Sequence, residues 1–456
     1  TIYKNYDKIS VRIYIMKRKL TLVTFGQSLY LTFKFFFKNK LNTHAANCSL
    51  AFLFSFMPIL LLIVVVLVKI FHTTPESLFS LINLQSIFVE PIKITSIVDE
   101  LLAVENSGVI TIITIIYVIW MAQRLFYSVV FGINSIFHTS TIKPIEKKRG
   151  TIIERLFIIL GEIILVISIA IILMITKSLK SVIDSEVFFT KIIEPYFPQF
   201  IKVLVSNLFS FLLYMLPFLF MFILVTITYK LASGSKPAWK HCILSATECT
   251  LCFWVVTIFF KLFLNITRYN LIYGFLSNLV ISLLEIYIFF ILFFLFAQQI
   301  FTHQFFNELL LSELYLLPSE EFNDFKSKIK RALFIRPDKL ISNENMHISL
   351  KKDDNIYSKD EVSDGVYYVA KGKIKLTKEN FTQFVTKGNF FGDFDCIFEN
   401  ERTMSAFAEE NSVVIFISKD EFNRLISSNP EVSQKMIESL PSYFFRFYGR
   451  NENPLL

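Results

Sequence analysis

Over the first 300 residues, charged positions fall in short clusters and the stretches between them are almost wholly apolar. A helix rises about 1.5 Å per residue and a bilayer's hydrocarbon core is about 30 Å thick, so about 20 apolar residues are needed to cross it. Six runs reach that length: 48–70, 109–130, 156–176, 203–228, 243–263 and 276–296. Buried helices of a soluble core are rarely so long without charges, and here the pattern recurs. From about residue 346 the period shortens to two. Ile374 and Leu376 alternate with Lys373 and Lys375, and Tyr367 and Val369 with Tyr368 and Ala370. Gly372, Gly388 and Gly392 punctuate this stretch, which predicts half-buried antiparallel strands. Ser418-Lys419-Asp420-Glu421, ahead of Phe422, Leu425 and Ile426, is a capping box that opens a helix, and a second helix is predicted from about Pro430. Between the two regimes, 301–345 is mixed and charged and reads as a helical connector broken at Pro318.

Composition sharpens this picture. The chain is 54% hydrophobic and 18% charged, where soluble domains average about 45–50% and about 25%. An intrinsically disordered chain and an ordinary soluble enzyme are thereby excluded. The 12 Gly and 13 Pro exclude collagen-like and low-complexity repeats. Five cysteines, mostly within apolar runs, argue against a disulfide framework.

The net charge of +8 matters less than its placement. Lys17, Arg18, Lys19, Lys34, Lys38 and Lys40 precede the first run. The segment 71–108 has only Lys93 against Glu76, Glu90, Asp99, Glu100 and Glu105. Lys143, Lys147, Lys148, Arg149 and Arg155 follow the second run, and Lys230, Lys236 and Lys240 the fourth. Basic loops face the cytoplasm, so both termini are expected there and 71–108 outside, resting as a helix on the outer interface. The first residue is Thr1 and the first methionine Met16, so 1–15 is expected to lie upstream of the start, and no cleavable signal peptide is visible. The expected domains are 1–46, a basic segment; 47–300, the membrane domain; 301–345, the connector; 346–440, the β domain; and 441–456, a tail.

Charges inside a bilayer are costly and usually face the bundle interior. Arg124, Glu162 and Glu248 each lie about 8–9 Å from the cytoplasmic boundary at about 1.5 Å per residue, so a cluster is expected. It is either a structural salt bridge with one protonated or snorkelling Glu, or a transport or lipid-headgroup site. Glu285 is nearer the bilayer centre, where a protonated carboxyl bonded to Ser or Tyr is expected. Cys249 and Cys252 fall on one helix face without a second pair to complete a zinc site, and read as packing residues. His44 and His241 lie near span ends and read as interfacial. No nucleophile–base pair and no metal-ligand set stands out, so no catalytic or metal residue is assigned and no enzyme is expected. No selectivity-filter sequence or arginine-repeat voltage sensor is present.

The run Ala45-Ala46-Asn47-Cys48-Ser49-Leu50-Ala51-Phe52-Leu53-Phe54-Ser55-Phe56-Met57-Pro58 resembles the first span of the YihY/BrkB membrane proteins. Tyr269, Tyr273-Gly274 and the span containing Tyr287 look like that family's closing helix. Glu285 stands where the family usually has a large apolar residue. The resemblance, over roughly 20–300, implies six spans with both ends inside, in a bacterial inner membrane. It also implies a transporter or lipid-handling protein, or alternatively a non-transporting envelope or serum-resistance (virulence) factor. The family's former ribonuclease label finds no support in the residues, and no nucleic-acid partner is expected.

The stretch from Ile356 to Leu376, with Phe390-Phe391-Gly392-Asp393 and Arg402-Thr403-Met404-Ser405-Ala406, closely resembles a cyclic-nucleotide-binding β-roll. The fold class expected is therefore a six-helix polytopic membrane domain followed by a small cytosolic α+β β-roll. The resemblance implies cAMP or cGMP as a regulatory ligand and no other cofactor. Arg402 would take the cyclic phosphate from the pocket rim, and Thr403 would add a hydroxyl and an amide. Gly392 would let the backbone approach, and Asp393 would stand for the family's Glu, which receives the ribose hydroxyl. Asp393 is one methylene shorter, so the alternative is a degenerate β-roll that serves protein interaction. The lipid bilayer is the expected partner, with a second copy of the chain as a further candidate.

Overall fold

The computed structural model describes residues 22–69, 108–138, 167, 171, 199–233, 235, 237–263, 275–317, 325–335, 347–378, 381–398 and 401–447. The chain divides into two compact units, Thr32–Thr139 with Ile145–Gln304, and Thr1–Leu31 with Ser140–Pro144 and Phe305–Leu456.

The first unit is helical. After α1 (Leu22–Lys38), α2 (Leu41–Lys69), α3 (Gly108–His138), α4 (Gln199–Ala232), α5 (Trp239–Phe263) and α6 (Phe275–Gln304) occupy five of the six predicted spans. Of the run 156–176, only Ile167 and Ile171 are described, both helical, and 71–107 lies outside the described residues. Among the described residues, three windows are long and apolar enough to cross a membrane: Met215–Ala232, Trp239–Phe260 and Val280–Gln304.

These helices solve the problem of a solvent without hydrogen bonds internally. The hydroxyls of Thr226, Thr228, Thr247, Thr250 and Thr257 each donate to the carbonyl four residues back. Small residues Ala45, Cys48 and Ala51 line the buried face of α2, which packs against α3 and α6. Phe293 and Phe294 of α6 and Ile133 and Ile136 of α3 are buried where the two helices pack, and the Phe294 ring lies over Gly132. Leu219, Ile223, Leu251, Val255 and Phe259 point outward, as lipid-facing positions do.

The second unit holds α7 (Phe306–Tyr315), α8 (Phe325–Phe334) and a β-roll. Pro318, the predicted break in the connector, lies in the undescribed stretch between these helices. Eight strands follow: β1 (His347–Leu350), β2 (Asn355–Tyr357), β3 (Gly365–Lys371), β4 (Lys373–Lys378), β5 (Phe381–Thr386), β6 (Phe390–Phe391), β7 (Ser405–Ala408) and β8 (Ser412–Ser418). They form two four-stranded sheets in the orders β1-β8-β3-β6 and β2-β7-β4-β5. The core includes Tyr357, Tyr367, Val369, Ile374, Leu376, Phe391, Met404, Ala406 and Val414. Helices α9 (Asp393–Phe398), α10 (Lys419–Ser428) and α11 (Pro430–Phe447) complete the domain. Ser418 caps α10 by accepting the Glu421 N–H, as the capping box predicts.

β4 alternates as expected, with Ile374 and Leu376 buried. β3 does not: Gly365 to Ala370 are all buried. Helices α9 and α10 cover its outer face. There the Tyr368 ring packs 4.9 Å from Phe390, and its hydroxyl donates to the Ile335 carbonyl at 3.4 Å.

Candidate functional site

The predicted ligand residues flank α9. Backbone bonds fix Arg402: its N–H donates to Glu361 O at 2.7 Å, and its carbonyl accepts from Asp360 N–H at 2.8 Å. The side chain then turns into the domain and is 1% exposed, the largest fully buried side chain among the described residues. Nη1 donates to Gly392 O at 3.1 Å and Nη2 to Gly365 O at 2.6 Å. Nη2 also lies 3.5 Å from the exposed Asp364 carboxylate. The guanidinium stands 4.3 Å from the Tyr357 ring centre and 5.5 Å from that of Tyr367. Those two rings stack with Phe391 at 5.3–6.1 Å. This corrects the expectation that Arg402 lies at a pocket rim.

The inward turn depends on Gly392. Its φ is +73°, and a Cβ there would collide with Nη1 of Arg402. The aromatic faces then stabilise the cation where water is excluded. The Nε–H of Arg402 is buried and has no hydrogen-bond partner among the described residues. A buried donor left open is costly, and an anion is the kind of group that closes it.

Asp393 opens α9, directly after Gly392. Its Oδ2 accepts the Tyr315 hydroxyl at 3.1 Å. Burial pushes its carboxyl above the usual range, and the Tyr315 hydroxyl and the Asp393 and Phe394 amides oppose that rise. Burial likewise raises the Tyr315 hydroxyl, with the nearby Asp393 charge acting in the same direction. Thr403 does not offer a free hydroxyl: its Oγ1 donates to buried Asp395 at 2.7 Å. The four predicted residues are thus brought together, each already holding a partner within the domain or lying against one.

Tyr315, Asp395 and Tyr357 were not legible as site residues. Tyr315 is 78 positions from Asp393 in sequence. Its ring lies 5.3 Å from Phe390 and 5.7 Å from Phe422. The end of α7 is clamped around it. Lys435 of α11 donates to Tyr315 O at 2.5 Å and Leu317 O at 3.3 Å. Buried Glu313 pairs with Lys330 at 2.8 Å, and the Asn429 amide meets the Ser312 hydroxyl. Burial and the neighbouring Lys330 hold the Lys435 amine below its ordinary range.

The described intramembrane charges, Arg124, Glu248 and Glu285, lie beyond one another's ion-pair reach. Arg124 is exposed on α3, 5.9 Å from the Phe54 ring. Glu248 is half-buried on α5, and Glu285 on α6 accepts the Thr257 hydroxyl at 3.2 Å. That donor is a Thr rather than the expected Ser or Tyr. No ion pair links Arg124, Glu248 and Glu285 among the described residues, and Glu162 lies outside them. Cys249 is buried and Cys252 exposed, so the two thiols do not share one environment. Among the described residues no group of His, Cys, Asp or Glu is placed to hold a metal.

A family model described as "Virulence factor BrkB" matches residues 32–305, and one described as "Cyclic nucleotide-binding domain" matches residues 347–429. No curated protein matches the chain. Among solved structures, the cAMP-bound form of the EAL enzyme Bd1971 is 22% identical over 22% of this chain and 28% of its own, with a TM-score of 0.19. The Thermus thermophilus catabolite activator protein is 22% identical over 22% of this chain and 50% of its own, with a TM-score of 0.20. The sensor domain of the Pseudomonas aeruginosa transcriptional regulator DNR is 16% identical over 34% of this chain and 99% of its own, with a TM-score of 0.23. The chain thus spans half or less of the length of the first two.

Proposed function

Because this chain belongs to the virulence factor BrkB family and carries a cyclic nucleotide-binding domain, we propose that it is a non-enzymatic membrane protein whose transport or lipid-handling activity answers to cAMP or cGMP. Both termini and the β-roll face the cytoplasm of a bacterial inner membrane in this reading, following the basic loops. Arg402 and the α9 turn receive the cyclic phosphate, and Asp393 receives a ribose hydroxyl.

One observation carries the coupling. The Asp393 carboxylate that the ribose needs is held by Tyr315, on the helix that begins two residues after Gln304 closes α6. In this reading a ribose hydroxyl takes the place of the Tyr315 hydroxyl on that oxygen. Ligand binding then works against docking of α7, and the helix next to the last apolar span feels the difference. Hydrogen exchange on the full chain in detergent tests this. cAMP or cGMP should speed exchange across 306–317 while slowing it across 391–406. Nucleotide binding that leaves 306–317 unchanged would remove the coupling.

A second reading has its own support. Both Nη groups of Arg402 already have carbonyl partners, and Thr403 is already bonded to Asp395. A β-roll satisfied in this way serves as well as a protein-interaction module, within an envelope or serum-resistance factor.

A further inference from the structure

Helix α1 buries polar residues beside Leu31 and Phe36 and leaves a row of large apolar residues exposed. Thr24, Gln27, Ser28 and Thr32 are buried, and the Gln27 amide donates to the Leu333 carbonyl at 2.7 Å. Leu22, Phe25, Leu29, Phe33 and Phe37 are exposed, at 91%, 63%, 48%, 42% and 65%. Their spacing of three, then four, puts them on one side of the helix, so a continuous apolar stripe faces outward. Such a stripe in water marks a surface that something covers.

We propose that the bilayer covers it: α1 lies in the membrane interface, its stripe sunk to the boundary between headgroups and acyl chains. α1 runs directly into the membrane domain. Only Asn39 and Lys40 separate α1 from the 29-residue α2, and Lys40 makes the corner with φ +51°. The end of α1 is also level with the end of the apolar window of α6. The Asn39 amide donates to Gln298 Oε1 at 3.2 Å, and the Phe35 and Phe301 rings meet edge-on at 6.4 Å. Gln298 and Phe301 both lie in Val280–Gln304, the most apolar of the membrane-length windows.

The charge of α1 suits a lipid surface as well. α1 holds no acidic residue, and Lys34, Lys38 and Lys40 gather at its end. The Lys34 and Lys38 amines stand 5.9 and 5.6 Å from the Phe35 ring centre, beside the stripe rather than opposite it. Long cationic chains there reach lipid phosphates while the rings remain in the acyl region. A second copy of the chain would need complementary acids for these lysines, and α1 supplies none.

The test uses the full chain reconstituted in phosphatidylcholine vesicles, with single cysteines in a cysteine-free background. An environment-sensitive fluorophore is placed at Leu29→Cys, Phe33→Cys and, as an aqueous control, Asp360→Cys. Brominated acyl chains should quench Leu29→Cys and Phe33→Cys strongly, with little quenching at Asp360→Cys, and aqueous iodide should do the reverse. Iodide quenching of all three sites would overturn the proposal. Self-quenching at Leu29→Cys that diminishes when labelled chains are diluted with unlabelled ones, without bromine quenching, would overturn it in favour of a second copy.

Discussion

Replacing Arg402 by Ala should unfold the β-roll rather than merely empty its pocket. A pocket-rim arginine can be truncated with little effect on the fold. Arg402 is 1% exposed and holds two buried carbonyls, those of Gly392 and Gly365. The Gly392 carbonyl keeps the Cys396 N–H at 3.2 Å, so the open group is the Gly365 carbonyl, at about 1–3 kcal/mol. The lost contact with the Tyr357 face adds about 2 kcal/mol when desolvated, and the cavity beside Tyr357, Tyr367 and Phe391 adds more. The loss is thus at least of order 3 kcal/mol, against a total stability of about 5–15 kcal/mol for a domain. At about 4–8 °C per kcal/mol, the melting temperature should fall by more than about 12 °C. The assay is hydrogen exchange of β3 and β7 in the full chain along a temperature ramp, with pulse proteolysis of the C-terminal unit as a second readout. Arg402→Lys, which keeps the charge but loses the fork, should fall between. Native protection of β3 and β7 in Arg402→Ala, with the melting point within about 2 °C of the parent, would refute the buried-scaffold role.

Three further outcomes follow from the same geometry. Tyr315→Phe keeps the ring between Phe390 and Phe422 but frees Asp393, so cyclic-nucleotide affinity should rise several-fold in equilibrium titration; equal or weaker affinity would count against the competition. Burial lifts the Asp393 carboxyl above 3.8, so the folded state holds that proton more tightly than the unfolded chain. Its contribution to stability is greatest below 3.8 and is lost as pH rises through the folded value. The pH slope of β-roll melting above 3.8 should therefore flatten in Asp393→Asn, and an unchanged slope would assign the effect elsewhere. Gly392→Ala, forced to φ +73° and against Arg402 Nη1, should destabilise the domain by more than the roughly 1 kcal/mol at which point mutations centre, read from the same melting curves.

Much of this architecture is written locally. Period two in β4, the Ser418 capping box and the apolar runs later seen as α2 to α6 need only near neighbours. What escapes the sequence is set by tertiary partners. β3 alternates in type yet is buried on both faces, because α9 and α10 cover its outer face. Arg402 resembles a ligand arginine whether it points outward or inward; Gly392, ten positions away, and the Tyr357 ring decide the direction. Tyr315 in a charged connector gives no sign that it ends on Asp393. The α1 segment reads as basic and cytoplasmic because its lysines cluster, while the stripe from Leu22 to Phe37 is interrupted by Thr24, Gln27, Ser28 and Thr32, whose burial only the fold reveals.

The central claim is that the β-roll binds a cyclic nucleotide, and titration calorimetry of cAMP and cGMP into the detergent-purified full chain tests it most directly. Saturable binding at one site per chain is predicted, together with a stabilisation of about 2.7 kcal/mol at a hundredfold excess over the dissociation constant. Absence of saturable heat at millimolar nucleotide, in both the native chain and Tyr315→Phe, would contradict it and leave the domain as a protein-interaction module.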